Sequence, residues 1–220
     1  VAPKALVGCS DNTSLLLALD RAGIASFHGP MVASDFARGS ADENSFLAVL
    51  KGLPLDLEFS SGSSVQSPVS GEASGPIIGG CLSVIVTSLG TPWEIDTEGK
   101  ILFLEDVNER PFRLDRMLMH LRLAGKFTGV RGVIFGAMLR CSPASDDEES
   151  LPQMIRRILG GLGIPICFGF PSGHVDSGNV TLPFGVPAVL KCSESNVRLH
   201  VEPSTVFEPQ ISNSLRNVSL

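Results

Sequence analysis

The sequence predicts an α/β fold, and three observations carry that reading. Short apolar runs such as Ala5-Leu6-Val7-Gly8 and Ile101-Leu102-Phe103-Leu104 have the length of buried strands. Between them apolar residues recur at helical spacing, as in Leu15, Leu16, Leu19 and Ala22 ahead of Gly23. Of the 220 residues 43% are hydrophobic and 18% charged, enough apolar material for a sizeable core.

The chain opens as strand, tight turn and helix, with Ser10-Asp11-Asn12-Thr13 at the turn and residues 24–27 as the next buried strand. Residues 34–51 read as a helix. Residues 60–75 are rich in Ser, Gly and Pro and poor in large apolar side chains, so 32–75 is expected to be a linker or surface excursion. A second α/β segment begins near Gly79, with an apolar run at 82–89, a Gly90-Thr91-Pro92 break and a strand at 101–104. Helices follow at 111–124 and 149–162, strands at 130–137 and 164–168, and short strands at 188–191 and 197–201.

Composition excludes several functions. Lys plus Arg number 17 against 23 Asp plus Glu, a net charge of −6, and no basic cluster exceeds a pair, so nucleic acid is not an expected partner. No apolar run approaches the roughly 20 residues of a membrane span, so no membrane partner is expected either. Cys9, Cys81, Cys141, Cys167 and Cys192 form no CxxC pair and no metal-ligand spacing. That excludes a disulfide framework and a zinc site and favours a reducing, cytoplasmic compartment. Val1-Ala2-Pro3-Lys4-Ala5-Leu6 is not a signal peptide.

Gly8-Cys9-Ser10-Asp11-Asn12 sets a serine between a strand and a helix, where a sharp turn exposes the hydroxyl and frees the next backbone N–H for an oxyanion. Asn12 stands where a second glycine is usual, and Asn tolerates left-handed geometry. A helix N-cap at Ser10 or Asp11 fits the same residues. A serine nucleophile needs a base. His120 lies inside a predicted helix and His200 in a predicted strand, His28 follows a strand at a turn, and His174 sits in the Gly-rich loop Pro171-Ser172-Gly173-His174 after a strand, where α/β proteins build sites. Glu105-Asp106 ends the run 101–104, placing a carboxylate to orient an imidazole. Asp106 and Glu109 suit the N-terminus of the helix that follows better than Glu105 does.

Five motifs then appear in order: Gly8 to Thr13; Phe27-His28-Gly29-Pro30-Met31; Gly99 to Asp106; Asp115-Arg116-Met117-Leu118 with Leu121-Arg122-Leu123-Ala124-Gly125; and Gly173-His174 through Leu182-Pro183 and Gly185. Together they resemble the LD-carboxypeptidases, the muramoyltetrapeptide carboxypeptidase family of serine peptidases, over essentially the whole chain. The resemblance implies Ser10 as nucleophile, His174 as general base and then acid, Glu105 as the residue orienting His174, and the backbone N–H of Asp11 as an oxyanion donor. It implies hydrolysis, through an acyl-enzyme, of the amide between the L-centre of a diamino acid and a terminal D-alanine in murein tetrapeptides, during cell-wall recycling. It also implies no cofactor, no metal, and a homodimer.

By the same resemblance, residues 1–31 are the end of a flavodoxin-like nucleophile domain and 76–220 a C-terminal domain with a barrel-like sheet. Members of the family carry a long stretch before the serine turn, including a Gly-rich loop with the second oxyanion donor. This chain is therefore expected to be a fragment, a truncated product or one segment of a longer polypeptide. Cys9 stands where many members have Tyr. Two alternatives accompany this reading: a peptidase like the microcin C immunity proteins, which cleave aminoacyl-nucleotides with the same triad, and a non-catalytic remnant. Trp93, the one tryptophan, reads as a wall or packing residue. Arg113, Arg116 and Arg122 are available for the substrate carboxylate but share one predicted helix, where structural roles are commoner, and Arg116 reads as structural beside Asp115.

Overall fold

A computed structural model describes residues 4–60, 64–143, 145 and 149–203. In chain order the elements are β1 (Val7–Gly8), a 3-10 turn (Ser10–Asn12), α1 (Thr13–Arg21), β2 (Ser26–His28), a π-helical turn (Val32–Phe36), α2 (Glu43–Leu50) and β3 (Leu55–Ser60). Next come β4 (Gln66–Val69), β5 (Gly71–Cys81), α3 (Leu82–Ser88), β6 (Ile101–Val107), α4 (Pro111–Leu123) and β7 (Gly132–Leu139). The last are α5 (Leu151–Leu159), β8 (Ile166–Phe168), β9 (Leu182–Phe184), β10 (Pro187–Cys192) and β11 (Asn196–Val201).

The strands form two sheets. The smaller has the order β1-β2-β9, with β1 and β2 parallel around α1 and β9 antiparallel to β2. The larger, of eight strands, runs β3-β11-β10-β5-β6-β7-β8-β4. Its centre, β5 to β8, is parallel, and its flanks are antiparallel. The hydrogen-bonded order is linear and open, ending at β3 and β4, so the expected barrel closure is not made among the described residues.

Burial explains which sequences went where. The six residues from Ile101 to Asp106 of β6 are buried without alternation, as a strand covered on both faces must be. In β11, Val197, Leu199 and Val201 face the core while Asn196, Arg198 and His200 face outward, the pattern of a half-solvated antiparallel strand. Gly23, at φ 69°, ends α1 just beyond Ala22, where left-handed geometry satisfies the last carbonyls. Pro111 starts α4, and Ser150 starts α5 with its amide donating to Gln153 Oε1 at 2.9 Å.

The structure corrects the reading of residues 32–75. In place of a linker or excursion, this stretch contributes α2, β3, β4 and the first half of β5, and the predicted helix 34–51 divides into a π-helical turn and α2. The small residues of β5, which continues past residue 75, serve close packing. A Cβ on Gly79 would lie 1.7 Å from the Phe103 carbonyl oxygen, and one on Gly80 would lie 2.4 Å from Thr13 Oγ1. The second approach lets Thr13 Oγ1 accept the Cys81 amide at 3.0 Å, tying the start of α1 to the end of β5.

Two further expectations change. β6 continues through the two acidic residues that were read as following it. Asp106, assigned to the helix after it, instead accepts the Ser83 amide at 2.9 Å and stabilises the N-terminus of α3. Within the run 82–89, Leu82–Ser88 form α3, buried through Leu82 and Ile85. No helix among the described residues is long and apolar enough to cross a membrane, and all five cysteines are free and buried.

Replacing Gly79 by Ala is expected to destabilise the fold by about 3 kcal/mol or more, because the clash is with backbone on a central strand. Denaturant unfolding of Gly79→Ala beside wild type, with unchanged stability as the contrary outcome, checks this.

Candidate active site

The serine of the strand–turn–helix segment sits in unusual backbone geometry. Ser10 has φ 57°, one of three non-glycine residues with positive φ among those described, and its side chain is half-buried. Such strain persists only where surrounding contacts hold it. Here β1 is locked to β2 by parallel pairing, with Gly8 opposite His28, and the Asn12 amide closes the turn on the Cys9 carbonyl at 3.1 Å. The Asp11 amide has no backbone acceptor among the described residues, which leaves it available to an oxyanion. Cys9, beside the serine, is buried, and burial pushes its thiol up to about 12. It is therefore a protonated core thiol and no rival nucleophile.

Glu105 lies opposite Cys81 in the β5–β6 register and is fully buried. Its Oε2 accepts both the ring Nδ1 of His174 at 2.7 Å and the His174 amide at 3.1 Å. Burial by itself would raise this carboxyl, but hydrogen bonding from His174, with His28 beside it, outweighs burial and holds it at about 2. Reciprocally, the bond to Glu105 lifts the His174 imidazole above 6.5 against its own partial burial. The geometry assigns the Nδ1 hydrogen of His174 to Glu105. Its Nε2 has no partner among the described residues, and the side chain is 22% exposed.

The loop that carries His174 is built for this contact. Gly173 has φ 105°, and a Cβ there would lie 2.6 Å from Glu105 Oε2, so only glycine lets the loop close over the carboxylate. Asn179 Oδ1 accepts the Gly173 amide at 3.1 Å, and Ser172 Oγ donates to the Val180 carbonyl at 2.8 Å.

Glu105 and His174 are thus brought into direct contact. Ser10 stands in the 3-10 turn after β1 of the smaller sheet, and among the described residues its Oγ makes no hydrogen bond to His174. The other histidines divide clearly. His120 is exposed on α4, and His200 is on the outer face of β11, 2.7 Å from Asp56. His28 is fully buried, with Nε2 3.9 Å from Glu105 Oε1. Asp35, which sequence reading passed over, is also buried; it accepts from the Met31 amide at 2.8 Å and from the hydroxyls of Ser34 and Ser40. It had no legible signal, because its partners are local turn residues.

The α4 arginines have partners of their own. Arg113 pairs with Glu109, Arg122 donates to the Ile158 carbonyl, and Arg116 lies over the Phe112 ring at 5.1 Å. Asp115 pairs with Arg157 rather than with Arg116. Trp93 is 57% exposed at its turn and packs less than expected.

Residues 74–190, which include Glu105 and His174, match the LD-carboxypeptidase C-terminal domain. The chain belongs to the LD-carboxypeptidase family. It is 36% identical over 198 residues to a probable murein peptide carboxypeptidase of Bacillus subtilis (strain 168), covering 87% of this chain and 61% of that protein. The crystal structure of muramoyltetrapeptide carboxypeptidase from Oxalobacter formigenes superposes with a TM-score of 0.77 at 31% identity, covering 90% of this chain and 69% of that one. An MccF-like protein from Bacillus anthracis str. Ames superposes with a TM-score of 0.75 at 25% identity, covering 92% and 68%. This LD-carboxypeptidase chain thus spans less than two thirds of the length of the Bacillus subtilis relative.

The Glu105–His174 pair generates a pH-dependent stability. Because the folded carboxyl lies at about 2 against an ordinary 4.5, its contribution is fully present above 4.5 and is lost as pH falls toward 2. Over that window wild type is expected to lose roughly 3 kcal/mol more than Glu105→Gln does. Urea unfolding of both proteins at several pH values measures the difference; parallel curves would contradict it.

Proposed function

We propose that this chain contributes the Ser10, His174 and Glu105 machinery of a serine LD-carboxypeptidase. The substrate is a murein tetrapeptide, cut at the amide between the L-centre of its diamino acid and the terminal D-alanine. The observation that supports the reading most directly is the 2.7 Å bond from His174 Nδ1 to a buried Glu105, with Nε2 left free. A base so oriented has one tautomer, and its free nitrogen is ready to take a hydroxyl proton.

In the reaction His174 Nε2 takes the Ser10 hydrogen as Oγ attacks the scissile carbonyl carbon. Glu105 stabilises the imidazolium that results, and the Asp11 N–H donates to the oxyanion. Collapse breaks the C–N bond, and His174 passes its proton to the departing amine of D-alanine. Water then attacks the acyl-enzyme with His174 again as base, releasing the shortened peptide and restoring Ser10. The positive φ of Ser10 suits this role, since strain at a strand-to-helix turn projects the hydroxyl outward.

The same reading makes β1, α1 and β2 the end of a flavodoxin-like nucleophile domain over residues 1–31, followed from residue 76 by the C-terminal domain. It places the enzyme in the cytoplasm, in murein recycling, as a homodimer.

Ser10→Ala is expected to fold normally and to release D-alanine from murein tetrapeptide at least about a thousandfold more slowly than the unsubstituted protein. Mass spectrometry of the released amino acid is the readout. Equal release by both proteins would remove Ser10 from the mechanism, and cleavage of an aminoacyl-nucleotide without tetrapeptide cleavage would reassign the substrate.

A further inference from the structure

Glu105 has two carboxylate oxygens, and only one is accounted for by His174. Oε1 is buried and makes no hydrogen bond among the described residues. The imidazole facing it is His28, whose Nε2 is likewise buried without a hydrogen-bond partner among them, 3.9 Å away. The His28 ring is held between aromatic neighbours, tilted on Phe103 at 4.8 Å and stacked on Phe184 at 5.5 Å between centroids. Its other edge presents Nδ1 to Ser172 Oγ at 3.4 Å, near enough to share the one hydroxyl hydrogen that Ser172 also directs at the Val180 carbonyl. The backbone of His28 meanwhile pairs with Gly8, two residues before Ser10. One residue therefore touches the strand of the nucleophile, the carboxylate of the acid and the loop of the base.

We infer that His28 is a positioning residue for hydrolysis: it carries its hydrogen on Nε2, directs it at Glu105 Oε1, and so fixes the carboxylate plane that presents Oε2 to His174. This rests on the reading of Glu105 and His174 as the orienting acid and the base. Two buried acceptors facing each other across 3.9 Å would repel, so a hydrogen on Nε2 is what this pair requires. A slight closing of the distance then makes a hydrogen bond, and the two oxygens of Glu105 each hold one imidazole. Sharing the carboxylate charge also limits how strongly it retains a proton on His174 between catalytic steps.

The other titratable groups whose fields reach Glu105 or His174 are Cys9 before the serine turn, Cys81 at the end of β5, Asp106 on β6, Cys141 after β7 and Asp35 in the π-helical turn. All of them remain when His28 is substituted, so a change in His174 on that substitution reports the lost donor.

The test is histidine-ring NMR on the full 220-residue chain, which needs no turnover. In the wild-type protein, long-range proton–nitrogen correlations are expected to place a hydrogen on His28 Nε2; a hydrogen on Nδ1 alone overturns the proposal. His28→Phe keeps a ring between Phe103 and Phe184 but cannot donate. In it the His174 titration midpoint should move upward, with kcat on murein tetrapeptide about 10- to 100-fold lower and KM little changed. His28→Gln, with an amide donor, should return both toward wild type. An unmoved His174 midpoint in His28→Phe assigns the ring to packing alone and refutes the inference. If His28→Phe does not fold, the wild-type tautomer and the glutamine variant decide. Glu105→Gln tests the underlying pair separately, since it must lower the His174 midpoint, and failure there rejects the acid–base reading itself.

Discussion

A carboxylate cut off from solvent survives as an anion only where donors replace the water it has lost. Glu105 is that carboxylate here, and much of the architecture serves it. It is carried at a fixed height in a strand buried on both faces. The backbone of His174 donates to it as well as the ring, so the loop and the base are held together by a single oxygen. Gly173 gives up a side chain to let that loop close, and Asn179 and Ser172 hold the loop from behind. The low position of the carboxyl and the high position of the imidazole are one fact seen from two ends.

The same economy of space joins the two sheets. The turn that carries Ser10, the proposed nucleophile, follows β1 of the three-stranded sheet, whereas Glu105 belongs to the eight-stranded one. Their relative placement depends on how closely α1 sits on β5. Gly80 has no Cβ, so Thr13 reaches the Cys81 amide, and Cys81 lies beside Glu105 in register. A chain of short, mostly backbone contacts thus runs from the helix after Ser10 to the carboxylate. Rigid backbone links of this kind hold a constellation more tightly than side chains on loops would.

Much of the site is legible in the sequence because its parts are local. An apolar run, a Ser-Asp-Asn-Thr turn and a helical period identify the segment around Ser10, and a Gly-rich loop after a strand singles out His174. The strand end at Glu105 was misread for a physical reason. Charged residues ordinarily leave a buried strand, but Glu105 and Asp106 stay because His174 and the Ser83 amide compensate them from distant parts of the chain. Residues 32–75 read as a linker or excursion because small residues signal turns as readily as tight packing, and the register of β3 against β11 and of β5 against β10 separates the two. His28 is the clearest case of a role hidden from sequence: its turn is visible, but its facing oxygen belongs to another sheet.

The environment of the nucleophile turn also bears on which atom reacts. Cys9 and Ser10 are neighbours, and in water the thiol would be the stronger nucleophile. Here the thiol points into the core, where burial and the nearby Glu105 and Asp35 charges all oppose the thiolate. The serine occupies the strained position, half-buried, and the amide that follows it has no backbone acceptor among the described residues. Reversing the two residues would set the sulfur in the turn and bury a hydroxyl where the thiol now sits, a costly burial wherever the hydroxyl finds no hydrogen-bond partner. The order Cys-Ser thus suits the packing, and the proposed hydroxyl chemistry agrees with which of the two side chains the core accepts.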